Sequence, residues 1–104
     1  MDIVSLREYC IAKENVTESL PFGDDTLVFK KGGRIFALVN LEGELNLNLK
    51  CDPGYATELR ERYPAVIPGY HMNKKHWNTI IIDGSIPDNE IRALIDHSYD
   101  IVKG

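Results

Sequence analysis

Leu45-Asn46-Leu47-Asn48-Leu49-Lys50 is the stretch that decides the fold. Apolar and polar side chains alternate strictly along it, which is the period of a strand with one buried face and one polar face. Upstream, Leu27-Val28-Phe29-Lys30 and Arg34-Ile35-Phe36-Ala37-Leu38-Val39 read as two more strands. Lys31-Gly32-Gly33 lies between them, and paired glycines tolerate the positive φ that a tight hairpin requires. Glu42-Gly43-Glu44 marks the next turn, so the three strands form an antiparallel meander.

Helices are expected before and after this meander along the chain. Residues 2–14 carry Ile3, Leu6, Cys10 and Lys13 at helical spacing behind Asp2, a capping residue. Ser19-Leu20-Pro21-Phe22-Gly23-Asp24-Asp25 then breaks the pattern and reads as a loop. Downstream, Asp52-Pro53 opens a second helix with a cap and a first-turn proline. Ala56, Leu59 and Tyr63 share one of its faces, Pro64 stops it, and Pro68-Gly69 is a turn. Trp77-Asn78-Thr79-Ile80-Ile81-Ile82 reads as a fourth strand ending at Asp83-Gly84. A last helix begins near Pro87-Asp88, with Ile91, Leu94, Ile95, Ser98 and Val102 in helical period. The predicted order is α-β-β-β-α-β-α: an α+β fold with helices packed on one face of a mainly antiparallel sheet.

The 104 residues suit one domain, taken as residues 1–104. With 43% hydrophobic and 27% charged residues the composition is that of a globular chain rather than a disordered one. The formal charge of -4 argues against a generic basic coat for nucleic acid or a membrane surface, but leaves room for a local basic patch. Cys10 and Cys51 stand far apart and form no CxxC motif, so they are expected as reduced, buried thiols. Met1-Asp2-Ile3-Val4-Ser5 lacks the basic and apolar regions of a signal peptide. No apolar run approaches the roughly 20 residues that span a bilayer, and a cytoplasmic protein is expected.

Two basic segments stand out. Lys30-Lys31-Gly32-Gly33-Arg34 forms the tip of the first hairpin. A basic ribbon can enter a DNA groove, although charges at a hairpin tip also serve to block edge-to-edge aggregation. Tyr70-His71-Met72-Asn73-Lys74-Lys75-His76-Trp77-Asn78 joins two lysines to histidines, amides and the only tryptophan. Its lysines can contact phosphates and its aromatic residues can stack on bases. The plainer alternative is a solvated loop with Trp77 buried in the core. Candidate DNA contacts are therefore Lys30, Lys31, Arg34, His71, Asn73, Lys74, Lys75, His76 and Trp77.

Other chemistry finds little support. His71 and His76 lack the i, i+4 spacing of a helical metal motif. Asp96, His97 and Ser98 have the composition of a catalytic triad, but sequence neighbours on a helix do not face one another. No enzymatic activity, metal or other cofactor is expected.

Several longer stretches resemble the YjbR family, also written MmcQ/YjbR. They are Pro21-Phe22-Gly23, Leu27-Val28-Phe29-Lys30, Phe36-Ala37-Leu38, Lys50-Cys51-Asp52-Pro53, Leu59-Arg60-Glu61-Arg62-Tyr63-Pro64, Pro68 through Thr79, and Asp96-His97-Ser98-Tyr99 with Ile101-Val102. The likeness runs over nearly the whole chain. It implies a frataxin-like (CyaY-like) fold and DNA binding through a double-wing surface of hairpins and loops, with no established reaction or cofactor. Analogy to iron-binding frataxins is no warrant for a metal, because function lives in sites and not in folds. The competing expectation is a protein- or small-ligand-binding module anchored by Tyr70, His71 and Trp77. Neither reading needs a membrane, and a monomer is the default. DNA binding requires the two basic segments, about 40 residues apart, to meet on one surface.

Overall fold

The structure is a computed structural model that describes residues 1–69 and 72–103. Its elements are α1 (Ile3–Ile11), β1 (Val16–Ser19), β2 (Thr26–Lys31), β3 (Arg34–Asn40), β4 (Asn46–Lys50), α2 (Pro53–Arg62), β5 (Val66–Pro68), β6 (Trp77–Ile81) and α3 (Asp88–Ile101). The strands make a six-stranded sheet in the order β1-β2-β3-β4-β6-β5, antiparallel throughout. The α+β class and the predicted helices are present, and two strands are added to the expected order.

Both added strands are short and lie at the sheet edges. β1 holds Val16-Thr17-Glu18-Ser19, too polar and too short to stand out in sequence, and it pairs only with β2. β5 ends on Pro68, which has no N–H to give to a ladder and is tolerated at an edge. The first helix stops at Ile11, short of the expected residue 14. Asn15 takes φ 63°, a left-handed conformation that no helix continues through, and turns the chain into β1.

Local chemistry explains the rest. The Asp2 carboxylate accepts a hydrogen bond from the Ser5 N–H at 2.8 Å, and Asp52 accepts from the Tyr55 N–H at 3.3 Å. Each satisfies an otherwise orphaned donor at a helix start. Gly32 and Gly33 have φ 54° and 87°, the pair of positive angles of a type I′ hairpin. One register irregularity between Phe29 and Lys30 leaves an extra residue on β3, and Phe36 and Ala37 are consecutively buried there.

All three helices pack on one face of the sheet. Leu6 and Cys10 of α1, Ala56 and Leu59 of α2, and Ile91, Leu94 and Ile95 of α3 bury against the sheet's core face. That face presents Phe29, Ala37, Val39, Leu47, Leu49 and Ile80. Phe36 meets Tyr99 of α3 edge-on, ring centroids 5.4 Å apart. Ser98 ties α3 to the sheet: its hydroxyl donates to the Phe36 carbonyl at 2.6 Å and accepts from the Lys50 N–H at 3.0 Å. The opposite face of the sheet carries no helix among the described residues. Among the described residues, no helix is long and apolar enough to cross a membrane.

Candidate nucleic-acid interface

The strand register brings the two basic segments to one end of the sheet. Lys31 pairs with Arg34 across the first hairpin, and three positions up β3 Ala37 pairs with Leu49, one residue before the end of β4. Lys50, the last residue of β4, pairs with Trp77, the first residue of β6. The hairpin tip, the end of β4 and the loop entering β6 therefore lie side by side. Only β4 separates β3 from β6, so about 10 Å lies between the two strands that carry the basic segments.

Not every candidate joins this surface. Lys30 pairs with Ile35 on the open face, whereas Lys31 turns to the helical side. The Lys31 ammonium donates to the Tyr99 carbonyl at 2.8 Å and sits 4.1 Å from the Tyr99 ring centroid. Consecutive strand residues point to opposite faces, so the two lysines cannot act together. Arg34, Lys74 and Lys75 are exposed. His76 and Trp77 are half-buried, with Trp77 on the open face rather than in the core. The Asn73 side chain shapes its own loop, its Oδ1 accepting from the Lys75 N–H at 2.9 Å. His71 and Tyr70 lie outside the described residues. Lys50, passed over in the sequence, joins the open face because it continues the Asn46, Asn48 alternation.

The cations at this end keep their charge available. The ion pairs among the described residues join the N-terminal amine to Asp88, Arg7 to Glu18, Lys13 to Asp96 and Arg62 to Glu58. None uses Lys30, Arg34, Lys50, Lys74 or Lys75. Acids also border this end: Asp52, which caps α2 two residues after Lys50, Glu14 before β1, and Asp100 next to Tyr99, whose carbonyl holds Lys31. The opposite end of the sheet is acidic: Asp24 and Asp25 precede β2, Glu42 and Glu44 lie in the β3–β4 turn, and Asp83 follows β6.

Arg60 holds the basic loop in place. Its Nε donates to the Asn78 Oδ1 at 2.7 Å, and its Nη2 donates to the Lys74 carbonyl and, at 3.3 Å, to the Trp77 carbonyl. Asn78 is 2% exposed and uses its Nδ2 to reach the Ala56 carbonyl at 3.4 Å. One guanidinium thus couples α2, β6 and the loop carrying Lys74 and Lys75. Its spacing from that loop gives no sequence signal.

The uncovered sheet face forms a groove of about 710 Å³ next to the basic end. Phe22, Ile35, Leu38, Ile67, Met72 and Ile81 supply its apolar lining. Thr26, Asn40, Asn46, Asn48 and Thr79 supply the polar part. The amides form a chain: Thr79 Oγ1 donates to Asn48 Oδ1 at 2.5 Å, and Asn48 Nδ2 to Asn46 Oδ1 at 3.4 Å. Asn46 Nδ2 in turn donates to the Glu44 carbonyl at 3.2 Å.

The triad-like trio Asp96, His97 and Ser98 is spread over separate contacts. Asp96 accepts from the Tyr9 hydroxyl at 2.7 Å and from Lys13 at 2.5 Å, while His97 Nε2 accepts the Asp52 N–H at 3.2 Å. With Ser98 bound to Phe36 and Lys50, each member of the trio serves its own set of partners and none bonds another. Burial pushes the Cys10 thiol up to about 12 and, more than any other cause, the Cys51 thiol up to about 11. Burial thus favours the protonated thiol at both positions. Among the described residues, no group of three His, Cys, Asp or Glu side chains is placed to hold a metal ion.

Comparison with known proteins matches this architecture. The family model YjbR matches residues 11–101. The uncharacterized protein YjbR of Escherichia coli K12 is 37% identical over 100 residues, covering 95% of this chain and 85% of the relative. A crystal structure of Deinococcus radiodurans protein DR2400, a DUF419 domain, superposes with a TM-score of 0.89 at 41% identity, over 93% of this chain and 75% of that one. A Pseudomonas syringae crystal structure superposes with a TM-score of 0.86 at 26% identity, over 99% of this chain and 100% of that one.

Proposed function

This chain belongs to the YjbR family, and from that premise we propose that it binds DNA through the cationic end of its sheet. The reading rests on one observation: the hairpin tip and the loop before β6 reach the same end, with no ion pair to their lysines and arginine among the described residues. Lys30 forms one wing on the open face, with Arg34, the cross-strand partner of Lys31, on the other face of the same hairpin tip, and Lys74 and Lys75 form the second wing. The wings flank Lys50, and Trp77 stands beside them. The double-wing surface that the family resemblance implies belongs to the same reading, supported by the placement of the hairpin tip and the loop at one end of the sheet. The frataxin-like fold belongs to the same reading, supported by a six-stranded antiparallel sheet with helices on one face.

The net charge does not forbid it. The acids of the turns at the other end lie a strand length away, about 17 Å for five residues, which exceeds the screening length of about 8 Å at physiological salt. DNA approaching the cationic end meets a local positive field and a screened negative one.

Phosphate contacts from the open-face lysines Lys30 and Lys50 and the loop lysines Lys74 and Lys75 give a log–log salt slope of about -3.6 on duplex DNA, or roughly a 150-fold loss of affinity from 50 to 200 mM salt. Lys74→Glu/Lys75→Glu removes two of these contacts, and the slope is expected to fall to about -1.8 or less. Fluorescence anisotropy on duplex and single-stranded DNA at both salts checks this. If the double variant binds both DNAs as tightly as the unmodified protein at 50 mM salt, the reading fails.

A second reading, a small-ligand-binding module, is favoured by the groove on the open face. Its volume lies within the roughly 300–1,000 Å³ of ligand sites. Binding of a neutral ligand that persists at high salt distinguishes it.

A further inference from the structure

We propose that the groove on the open sheet face receives unpaired nucleobases, so that the DNA bound is single-stranded and lies across the sheet. This rests on the nucleic-acid reading above and deepens it. The groove and the cationic end are continuous. Ile35, in the groove wall, pairs with Lys30; Asn48, in its floor, precedes Lys50 on the same face; and Met72, in its rim, belongs to the loop that carries Lys74 and Lys75.

The lining chemistry selects the occupant. An unpaired base has flat apolar faces and a hydrogen-bonding edge. Phe22 is 65% exposed at the groove, free to stack, and Leu38, Met72 and Ile81 offer further apolar contact. The amides answer the base edges. An asparagine side chain has two N–H donors, and Asn46 and Asn48 each spend one on a neighbouring acceptor. Asn40 uses its Oδ1 to accept the Glu42 N–H at 3.2 Å. Donors thus remain for carbonyl and ring-nitrogen acceptors.

Other occupants fit less well. An acyl chain would cover these amides without satisfying them, at a cost for each. An extended peptide adds to a sheet edge, where backbone groups are free, and not over a face where they are already paired. Charge fixes the orientation. Lys30 and Lys50 stand at one mouth of the groove, and Glu42 and Glu44 lie in the turn at the other. A nucleotide is anionic at its phosphate and neutral at its base, so the phosphate goes to the lysines and the base runs inward over the amides.

The test uses the full chain with a short oligo(dT), whose thymine carbonyls suit a donor-rich floor, and a duplex of equal length. In proton–nitrogen spectra the side-chain amide signals of Asn40, Asn46 and Asn48 are expected to shift with oligo(dT) and to stay in place with duplex. Phe22→Ala and Asn40→Ala, both at the groove surface, are each expected to weaken oligo(dT) binding about tenfold while leaving the salt slope unchanged. If oligo(dT) shifts only backbone signals near Lys30 and Lys74, or if both variants bind it at full strength, the groove is not the site and the cationic-end reading stands alone. If neither DNA binds at 50 mM salt, both readings fall together.

Discussion

Arg60 shows how much one side chain can organise. Its guanidinium fork is shared between a buried amide and two loop carbonyls. Truncating it leaves the Asn78 Oδ1 without its donor in a site that is 2% exposed. Arg60→Ala is expected to cost about 1–3 kcal/mol in urea unfolding and to raise exchange at the Lys75 and His76 amides. Arg60→Lys keeps the charge but not the planar fork, and should recover little of the loss. Equal stability of Arg60→Ala and the unmodified protein would contradict this role. Gly69 acts by absence on the other side of the same loop. A Cβ there would lie 2.8 Å from the Trp77 Cβ and 3.0 Å from the Trp77 carbonyl oxygen, so only glycine lets the two chains approach.

Between elements, the ends of α1 and α3 are clasped by a mixed polar and aromatic cluster. Lys13 lies 5.0 Å from the Tyr9 ring centroid and 5.0 Å from that of Tyr99, and bonds Asp96 together with the Tyr9 hydroxyl. Burial by itself would raise the Asp96 pKa, but the hydrogen bonds from Lys13 and Tyr9 outweigh it and hold the carboxyl below its usual 3.8. A carboxyl depressed in the folded state contributes stability above its unfolded value, and that stability is lost as pH falls through the folded value. Asp96→Asn is therefore expected to be less stable than the parent at neutral pH, with the gap closing below about pH 4. Urea titrations at stepped pH check this, and a gap that stays constant down to pH 2 would rule out the ionised clasp. The same scale explains why the hairpin tip was only half legible. Its glycines announce the turn, but the lysine that faces solvent is decided by strand alternation against a helix, and Lys31 is the one taken up by α3.

Across the whole molecule, burial also sets the chemistry of the thiols. Cys10 is fully buried and Cys51 nearly so, on the core side of the sheet, and both are free. Labelling by a thiol reagent at pH 8 is expected to proceed only as fast as the chain opens, and to accelerate sharply across the urea transition. Immediate labelling of both thiols in the absence of urea would contradict the packing described here. The molecule also separates its charge along the strands, with Lys30, Arg34, Lys50, Lys74 and Lys75 at one end and Asp24, Asp25, Glu42, Glu44 and Asp83 at the other. A net charge of -4 conceals that polarity.

The sequence alone determined the central hairpins, the helix starts and the apolar face of each long element. These follow from side-chain period, capping residues and glycine turns, which act over a few residues. The edge strands escaped it because β1 and β5 are three or four residues long and gain their pairing from neighbours distant in the chain. Tertiary structure alone decided that the hairpin tip and the loop before β6 share an end, that Lys50 joins them, that Arg60 holds the loop and that one sheet face stays open as a groove. Each depends on strand order and register between segments tens of residues apart, and no local pattern places β6 beside β4.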